Sequence, residues 1–281
     1  MVNIQWYPGH MEKARRDMLD GLKAVDFLIE VRDARIPNAS ANPILNDMAK
    51  GKERLVILSK SDLADPEATS AWQKALEAQG YHVLALNLQD TKSRKALIDT
   101  CKELTQEKRN KMIAKGIKPR AMRAMACGIP NSGKSTLINL VSKKKSAKTA
   151  DKPGVTRGLT WIHADETLDI LDTPGVLWPK FEDPTVGVLL GATGAINDNI
   201  LDLKEIAIKT IEIILKQYET IFIDVFGISK ESKKEDYLLQ IAKARHLEKE
   251  NAEADVDRAA SLFLHELRKG KYGRITLESA Q

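Results

Sequence analysis

Cysteine, long apolar runs, internal repeats and low-complexity tracts are what this 281-residue chain lacks. Two cysteines, Cys101 and Cys127, are too few for a disulfide framework and too isolated for a zinc site, so both are expected as reduced core thiols. No run approaches the roughly 18 uncharged apolar residues of a membrane span. The stretch from Met1 to Glu12 has no apolar core resembling a signal peptide. A cytoplasmic protein with no membrane partner is the expectation. A hydrophobic content of 43% excludes disorder across the whole chain and suffices for an ordinary core.

Charge is unevenly spread. Residues 1–177 hold 29 Lys and Arg against 21 Asp and Glu, a net +8, whereas residues 178–281 hold 15 against 18, a net −3. The basic residues cluster, with eight against two acids from Lys102 to Arg123 and six against one from Lys143 to Arg157. Such runs are solvated helix faces and loops unless a polyanionic partner is indicated elsewhere.

The first two thirds alternate apolar runs with helical stretches, the pattern of a mostly parallel sheet with helices on both faces. Strands are expected at Phe27–Val31, Leu55–Leu58, Val83–Leu86, Met122–Cys127, Leu159–Ala164 and Leu168–Leu171. Helices are expected over Glu12–Lys23, from Asp65-Pro66 to Gly80, over Ser93–Lys111 and over Gly133–Ser142. Beyond Trp178, residues such as Leu203, Ile206, Ala207, Ile211, Ile214 and Tyr218, and later Val256, Ala259, Ala260, Phe263 and Leu267, recur at helical spacing. The division expected is an α/β domain over residues 1–178 followed by a small all-α domain over residues 179–281.

Gly128-Ile129-Pro130-Asn131-Ser132-Gly133-Lys134-Ser135 fits the phosphate-loop pattern GxxxxGK[ST] and lies between a predicted strand and a predicted helix. Backbone N–H groups around Asn131, Ser132 and Gly133, the helix start at Lys134, Ser135 and Thr136, and the Lys134 ammonium are expected to cradle a triphosphate, with the Ser135 hydroxyl on Mg²⁺. Downstream, Asp172-Thr173-Pro174-Gly175 ends another predicted strand; Asp172 is then the metal-side carboxylate, and Gly175 N–H a donor to the γ-phosphate. Between them Thr156 lies in a flexible stretch, Pro153 to Gly158, placed to complete the Mg²⁺ shell as a switch loop.

Leu55-Val56-Ile57-Leu58-Ser59-Lys60-Ser61-Asp62 reads as a buried strand ending in SKxD, one residue from the guanine-reading NKxD. An Asp62 carboxylate accepts from guanine N1–H and its exocyclic amine, which adenine does not present together, so GTP rather than ATP is expected. Lys60 would lie along the ring. Ser59 departs from the Asn of the pattern with a shorter side chain. Asn87, after the next strand, is a further candidate base contact.

The base-reading parts thus precede the phosphate-reading parts. With that inverted order, Trp6-Tyr7-Pro8-Gly9-His10-Met11 and Asp33-Ala34-Arg35-Ile36-Pro37 resemble the motifs of the circularly permuted ribosome biogenesis GTPase A family over nearly the whole chain. The resemblance implies a circularly permuted P-loop GTPase domain followed by a helical RNA-binding domain. It also implies a GTP/GDP switch with Mg²⁺ that acts in late assembly of the bacterial large (50S) ribosomal subunit. The implied partner is a subunit precursor of rRNA and ribosomal proteins, with neither membrane nor DNA expected.

Where Ras-like enzymes carry a water-orienting Gln after DxxG, this chain has Val176. His10, read as part of a Pro-Gly turn, is the candidate to act at the γ-phosphate beside Lys134 and Thr156, the alternative being a histidine that packs the leader. Asn131 stands where potassium-activated GTPases use an Asn to coordinate K⁺, so potassium dependence is implied. Arg157 is a weaker candidate, as a finger in cis. For RNA the candidates are Lys143, Lys144 and Lys145 and the terminal Arg268, Lys269, Lys271, Tyr272 and Arg274, with Tyr272 stacking on a base. The alternatives are a non-hydrolysing, guanine-nucleotide-gated RNA-binding protein and, further off, an ATP-dependent phosphotransferase.

Overall fold

The computed structural model describes residues 8–49, 51–142, 159–175, 177–178 and 181–280, without the side chains of residues 8–15 and 47. Successive residues of its central strands part to opposite faces, as the pleat dictates. Phe27, Ile29 and Val31 of β1 (Phe27–Asp33) share one core with Leu55 and Ile57 of β2 (Arg54–Ser59) and with Met122, Ala124 and Ala126 of β4 (Met122–Gly128). Their neighbours Leu28, Met125 and Cys127 pack behind the sheet, as do Val56 and Leu58. Strands buried on both faces read as continuous apolar runs, which is why they were legible.

The first face is covered by α4 (Ser93–Ala114), through Leu97 and Cys101, and by α5 (Lys134–Val141), through Leu137, Ile138 and Val141. The second carries Met18 and Leu22 of α1 (Pro8–Ala24), Leu45 of α2 (Ile44–Met48), and Trp72 and Leu76 of α3 (Pro66–Ala78). With β3 (His82–Leu86), β5 (Thr160–Asp165) and β6 (Leu168–Asp172), the strand order is β3-β2-β1-β4-β6-β5. All neighbours are parallel except the edge pair β5 and β6. Burial pushes the Cys101 thiol up to about 12 and the Cys127 thiol higher still, so neither is a nucleophile.

Asp65 caps α3 by accepting from the Glu67 and Ala68 N–H groups, as the Asp-Pro pair predicts. The Pro8-Gly9-His10 stretch departs from the expected turn. Pro8 opens α1, because a proline at the first helical position forfeits only an N–H that has no intrahelical acceptor.

Beyond residue 180 come α6 (Pro184–Ala192), α7 (Leu203–Phe226), α8 (Tyr237–Ala244) and α9 (Val256–Arg268). Their core of Ile206, Ile211, Ile214, Phe222, Phe263 and Leu267 continues into Ile36, Ala39, Ile129 and Leu177. These last residues follow the carboxyl ends of β1, β4 and β6, where open α/β sheets take their ligands. Residues 275–280 then return over the sheet. Ile275 N–H donates to Leu63 O, Leu277 N–H to Arg35 O, and Trp72 Nε1–H to Glu278 O. No helix among the described residues is long and apolar enough to cross a membrane.

Candidate functional site: a phosphate loop facing a base-reading loop

The phosphate loop leaves β4 at Gly128, where a Cβ would lie 2.6 Å from Val31 O, so only glycine lets the two strands approach this closely. Gly133, at φ +98°, turns the chain into α5. Lys134 and Asp172 are both buried and form an ion pair, Nζ to Oδ1 at 2.5 Å. Asp172 ends β6, and the segment after it is held against the loop. Thr173 Oγ1 donates to Ala126 O, and a Cβ on Gly175 would sit 3.2 Å from Pro130 N. The two phosphate motifs, 37 residues apart in sequence, therefore meet. Ser132 Oγ is buried within the loop with no hydrogen-bond partner among the described residues, an orphan that a ligand oxygen would satisfy.

The base-reading loop joins the phosphate loop from below. Ser59, fully buried at the end of β2, has its Oγ 2.5 Å from Ser132 O and 2.9 Å from Arg32 O, and its single proton serves one carbonyl at a time. The expectation that Ser59 contacts the base is corrected: the end of β2 lies under the phosphate loop, so the hydroxyl faces that loop. Lys60, at φ +54°, donates from Nζ to Asp33 Oδ2 at 2.9 Å and to Asn131 O at 2.7 Å. Asn131 is itself left-handed at φ +58°. Two non-glycine residues in this region, bonded to each other, mark strain gathered at a functional loop.

Sequence reasoning missed the buried anion beneath Lys60. Asp33 accepts from Arg35 Nε at 2.9 Å and Nη2 at 2.7 Å. Burial would raise its pKa, but the Arg35 and Lys60 charges outweigh that and hold it well below the usual carboxylate range. The Asp-Ala-Arg triplet was visible, but nothing local showed that its carboxylate anchors a lysine 27 residues away.

These loops face a cavity of about 930 Å³, at the upper end of the usual size for small-molecule sites. Its floor is Ser59, Lys60, Asp62 and Leu63, then Asn87 to Gln89, with Asn131, Gly133 and Thr136 beside them. Asp62 is exposed there, and among the described residues its carboxylate accepts no hydrogen bond. The opposite wall comes from the helices, with Gly194, Ile196 to Asn199, His265, Arg268 and Lys269. No motif signalled that wall. Arg268 builds it by forking onto Asp198 at 2.7 and 2.8 Å and donating to Gly191 O and Ala192 O, while Asn131 Nδ2 donates to Gly194 O at 3.2 Å. Lys134, Ser135, Asp172 and Gly175 lie beyond the cavity lining, with Lys134 folded onto Asp172.

Among the terminal RNA-contact candidates, Tyr272 and Arg268 are corrected: both are engaged inside the fold. Tyr272 is buried, stacked on Phe263 with ring centroids 5.6 Å apart, and its hydroxyl donates to Glu266 at 2.7 Å. Arg274 donates to Ala64 O and Ser61 O, and Arg268 is engaged in the cavity wall. Lys269, Lys271 and Arg274 are exposed, Arg274 while bonded to those two carbonyls. Thr156, Arg157, Val176, Lys143, Lys144, Lys145 and the His10 side chain lie outside the described residues.

A family model described as "50S ribosome-binding GTPase" matches residues 123–201. The chain is 43% identical to ribosome biogenesis GTPase A of Bacillus cereus over 99% of its own length and 94% of the relative's. To the protein of the same name from Thermotoga maritima it is 31% identical, over 98% and 94%. Among solved structures, GNP-bound YlqF from T. maritima superposes with a TM-score of 0.66 at 28% identity, covering 96% of this chain and 99% of that one. The GDP-bound form of the same protein gives 0.65 at 27%, covering 93% and 98%.

Proposed function

The chain belongs to the ribosome biogenesis GTPase A family and is a GTPase of ribosome biogenesis, and from that premise we propose that it acts as a timer in assembly of the large (50S) subunit. In this reading it binds a subunit precursor, rRNA and ribosomal proteins together, in the cytoplasm when loaded with GTP. It leaves after hydrolysis that the subunit stimulates. The observation that carries the nucleotide part is the shared cavity: an uncommitted Asp62 carboxylate and the phosphate loop face the same 930 Å³ space, joined beneath by Ser59 and Lys60.

Asp62 accepts from the guanine N1–H and amine, and Asn87 borders the same end of the cavity. Lys134 leaves Asp172 for the outer phosphate oxygens, which replace one buried anion by another and keep the ammonium paired. That exchange frees the Asp172 carboxylate, and with the Ser135 hydroxyl, and Thr156 from the switch segment, it makes an oxygen donor set suited to Mg²⁺. Bound there, Mg²⁺ would neutralise charge on the β- and γ-phosphates. Gly175 N–H and the backbone around Ser132 and Gly133 hold the γ-phosphate while water attacks its phosphorus, and the bond to the β–γ bridging oxygen breaks to leave GDP and phosphate. With Val176 unable to align that water, His10 takes the role when a partner brings the start of α1 to the γ-phosphate. Asn131 Oδ1 is the amide atom that would face K⁺, since Nδ2 is committed to Gly194 O.

The test is GTP turnover in K⁺ and in Na⁺ at matched ionic strength, each with and without purified large ribosomal subunits. Stimulation by subunits, with a further gain in K⁺, is the expected result. Lys134→Ala should abolish nucleotide binding in every condition. Turnover indifferent to subunits would remove the timer and leave the GTPase.

A further inference from the structure

With Arg268, Tyr272 and Arg274 of the terminal segment engaged internally, the densest run of exposed basic charge among the described residues lies elsewhere. Residues 106–120 hold six basic side chains and one acid, a net +5, equal to the net charge of the entire chain, so the remainder is neutral overall. In the structure this segment is an arm. The last buried residue of α4 is Thr105, and the helix runs nine residues further to Ala114, roughly 14 Å at 1.5 Å per residue. The helix closes at Gly116, at φ +68°, with Ile117 N–H donating to Met112 O, and the chain turns back into β4.

The root of the arm is fastened and its tip is not. Asp26, just before β1, accepts from Lys108 Nζ at 2.6 Å and from Arg120 Nη1 at 2.7 Å, so one carboxylate clamps the outgoing and returning limbs. At the tip, Lys115 and Lys118 are exposed with no side-chain partner among the described residues. Lys111 has only a solvent-exposed bridge to Glu107, which contributes little. Between these lysines Ile113 and Ile117 stand 58% and 51% exposed, and Ile113 is the most exposed large apolar side chain among the described residues. A helix held rigid at its base, carried past its own core and tipped with lysines and bare isoleucines gains nothing from folding by that arrangement. It suits a polyanion that also offers sugar and base edges.

Resting on the ribosomal reading above, we infer that the arm formed by the end of α4 and residues 115–120 is an RNA-docking surface. Lys111, Lys115 and Lys118 meet backbone phosphates, while Ile113 and Ile117 contact the ribose and base edges between them. Lys111 and Lys115, one helical turn apart, lie on one face of the helix. The arm adjoins the amino ends of β1 and β4, and the nucleotide cavity lies at their carboxyl ends, a seven-residue strand or about 20 Å away. RNA can therefore sit on the arm without entering the cavity.

The test compares the full-length protein with the triple variant Lys111→Glu, Lys115→Glu, Lys118→Glu, using deproteinised large-subunit rRNA and intact large subunits as probes over a range of salt. The variant should keep its melting temperature and basal GTP turnover. Its rRNA affinity should fall at least roughly tenfold, with a log–log salt slope shallower by about 2 to 3. Equal rRNA binding by both proteins overturns the inference. Loss of subunit binding with rRNA binding intact also overturns it and makes the arm a surface for a ribosomal protein. If the parent itself binds neither probe, the ribosomal reading fails first and the arm's role falls with it.

Discussion

Ser59 shows how a residue within a binding motif can be committed to the loop beside it. Its hydroxyl ties β2 to the phosphate loop through Ser132 O, and the space around it is filled: a Cβ on Gly133 would already lie 3.3 Å from Ser59 Oγ. Ser59→Asn, which restores the NKxD pattern, should therefore not raise GTP affinity. The larger amide has to push the phosphate loop upward, and the expected outcome is a loss of about 1–3 kcal/mol in stability, as for other overpacked sites. Urea unfolding and GTP titration of the same variant check both halves. A stable variant with tighter GTP binding would mean that the side chain belongs to the base site after all.

At the scale of elements, the strands and the phosphate loop were legible because each is a contiguous stretch whose pattern reports its own surroundings. The terminal segment was not, because the acceptors of its cations are distant in sequence: Arg268 reaches Asp198, and Arg274 reaches Ser61 O, 213 residues away. The cavity wall from the helices was hidden for the same reason. Within the terminal strap, Glu278 accepts from Asn38 N–H at 2.8 Å and Ala39 N–H at 3.0 Å. Burial pushes its carboxyl up to about 7, with Asp183 adding to the rise, against the two N–H donors and Arg32, which lower it. A folded-state pKa above the unfolded value of about 4.3 means the folded chain binds the extra proton. The contribution is thus fully present below about pH 4 and is lost as pH rises to about 7. Asp26, held at about 2 because Arg120 and Lys108 outweigh its burial, works oppositely and only in more acid solution. Melting temperatures taken from pH 5 to pH 8 should fall more steeply for the parent than for Glu278→Gln, which cannot titrate. Parallel curves would show that the strap carboxylate does not titrate in that window.

At the scale of the whole molecule, the helices and the sheet share one apolar core across Ile36, Ala39, Ile129 and Leu177, and the strap fastens the same junction from outside. Ile275 and Leu277 bury their side chains in that core while their N–H groups donate to Leu63 O and Arg35 O, both in residues that line the cavity. Arg274 adds two bonds to the carbonyls of the base-reading loop. The parent should therefore unfold in one calorimetric transition, with the helices and the sheet melting together. Removing residues 274–281 deletes two buried aliphatic side chains, a loss on the order of 4 kcal/mol from large-to-small core precedents, and all of it falls at the junction. The truncated chain should show the helical part and the sheet melting separately. Because Leu63 and Asp62 lose their outer support, it should also release GDP faster than the parent. A single transition at the parental temperature with unchanged GDP release would mean that the shared core alone holds the base-reading loop in place.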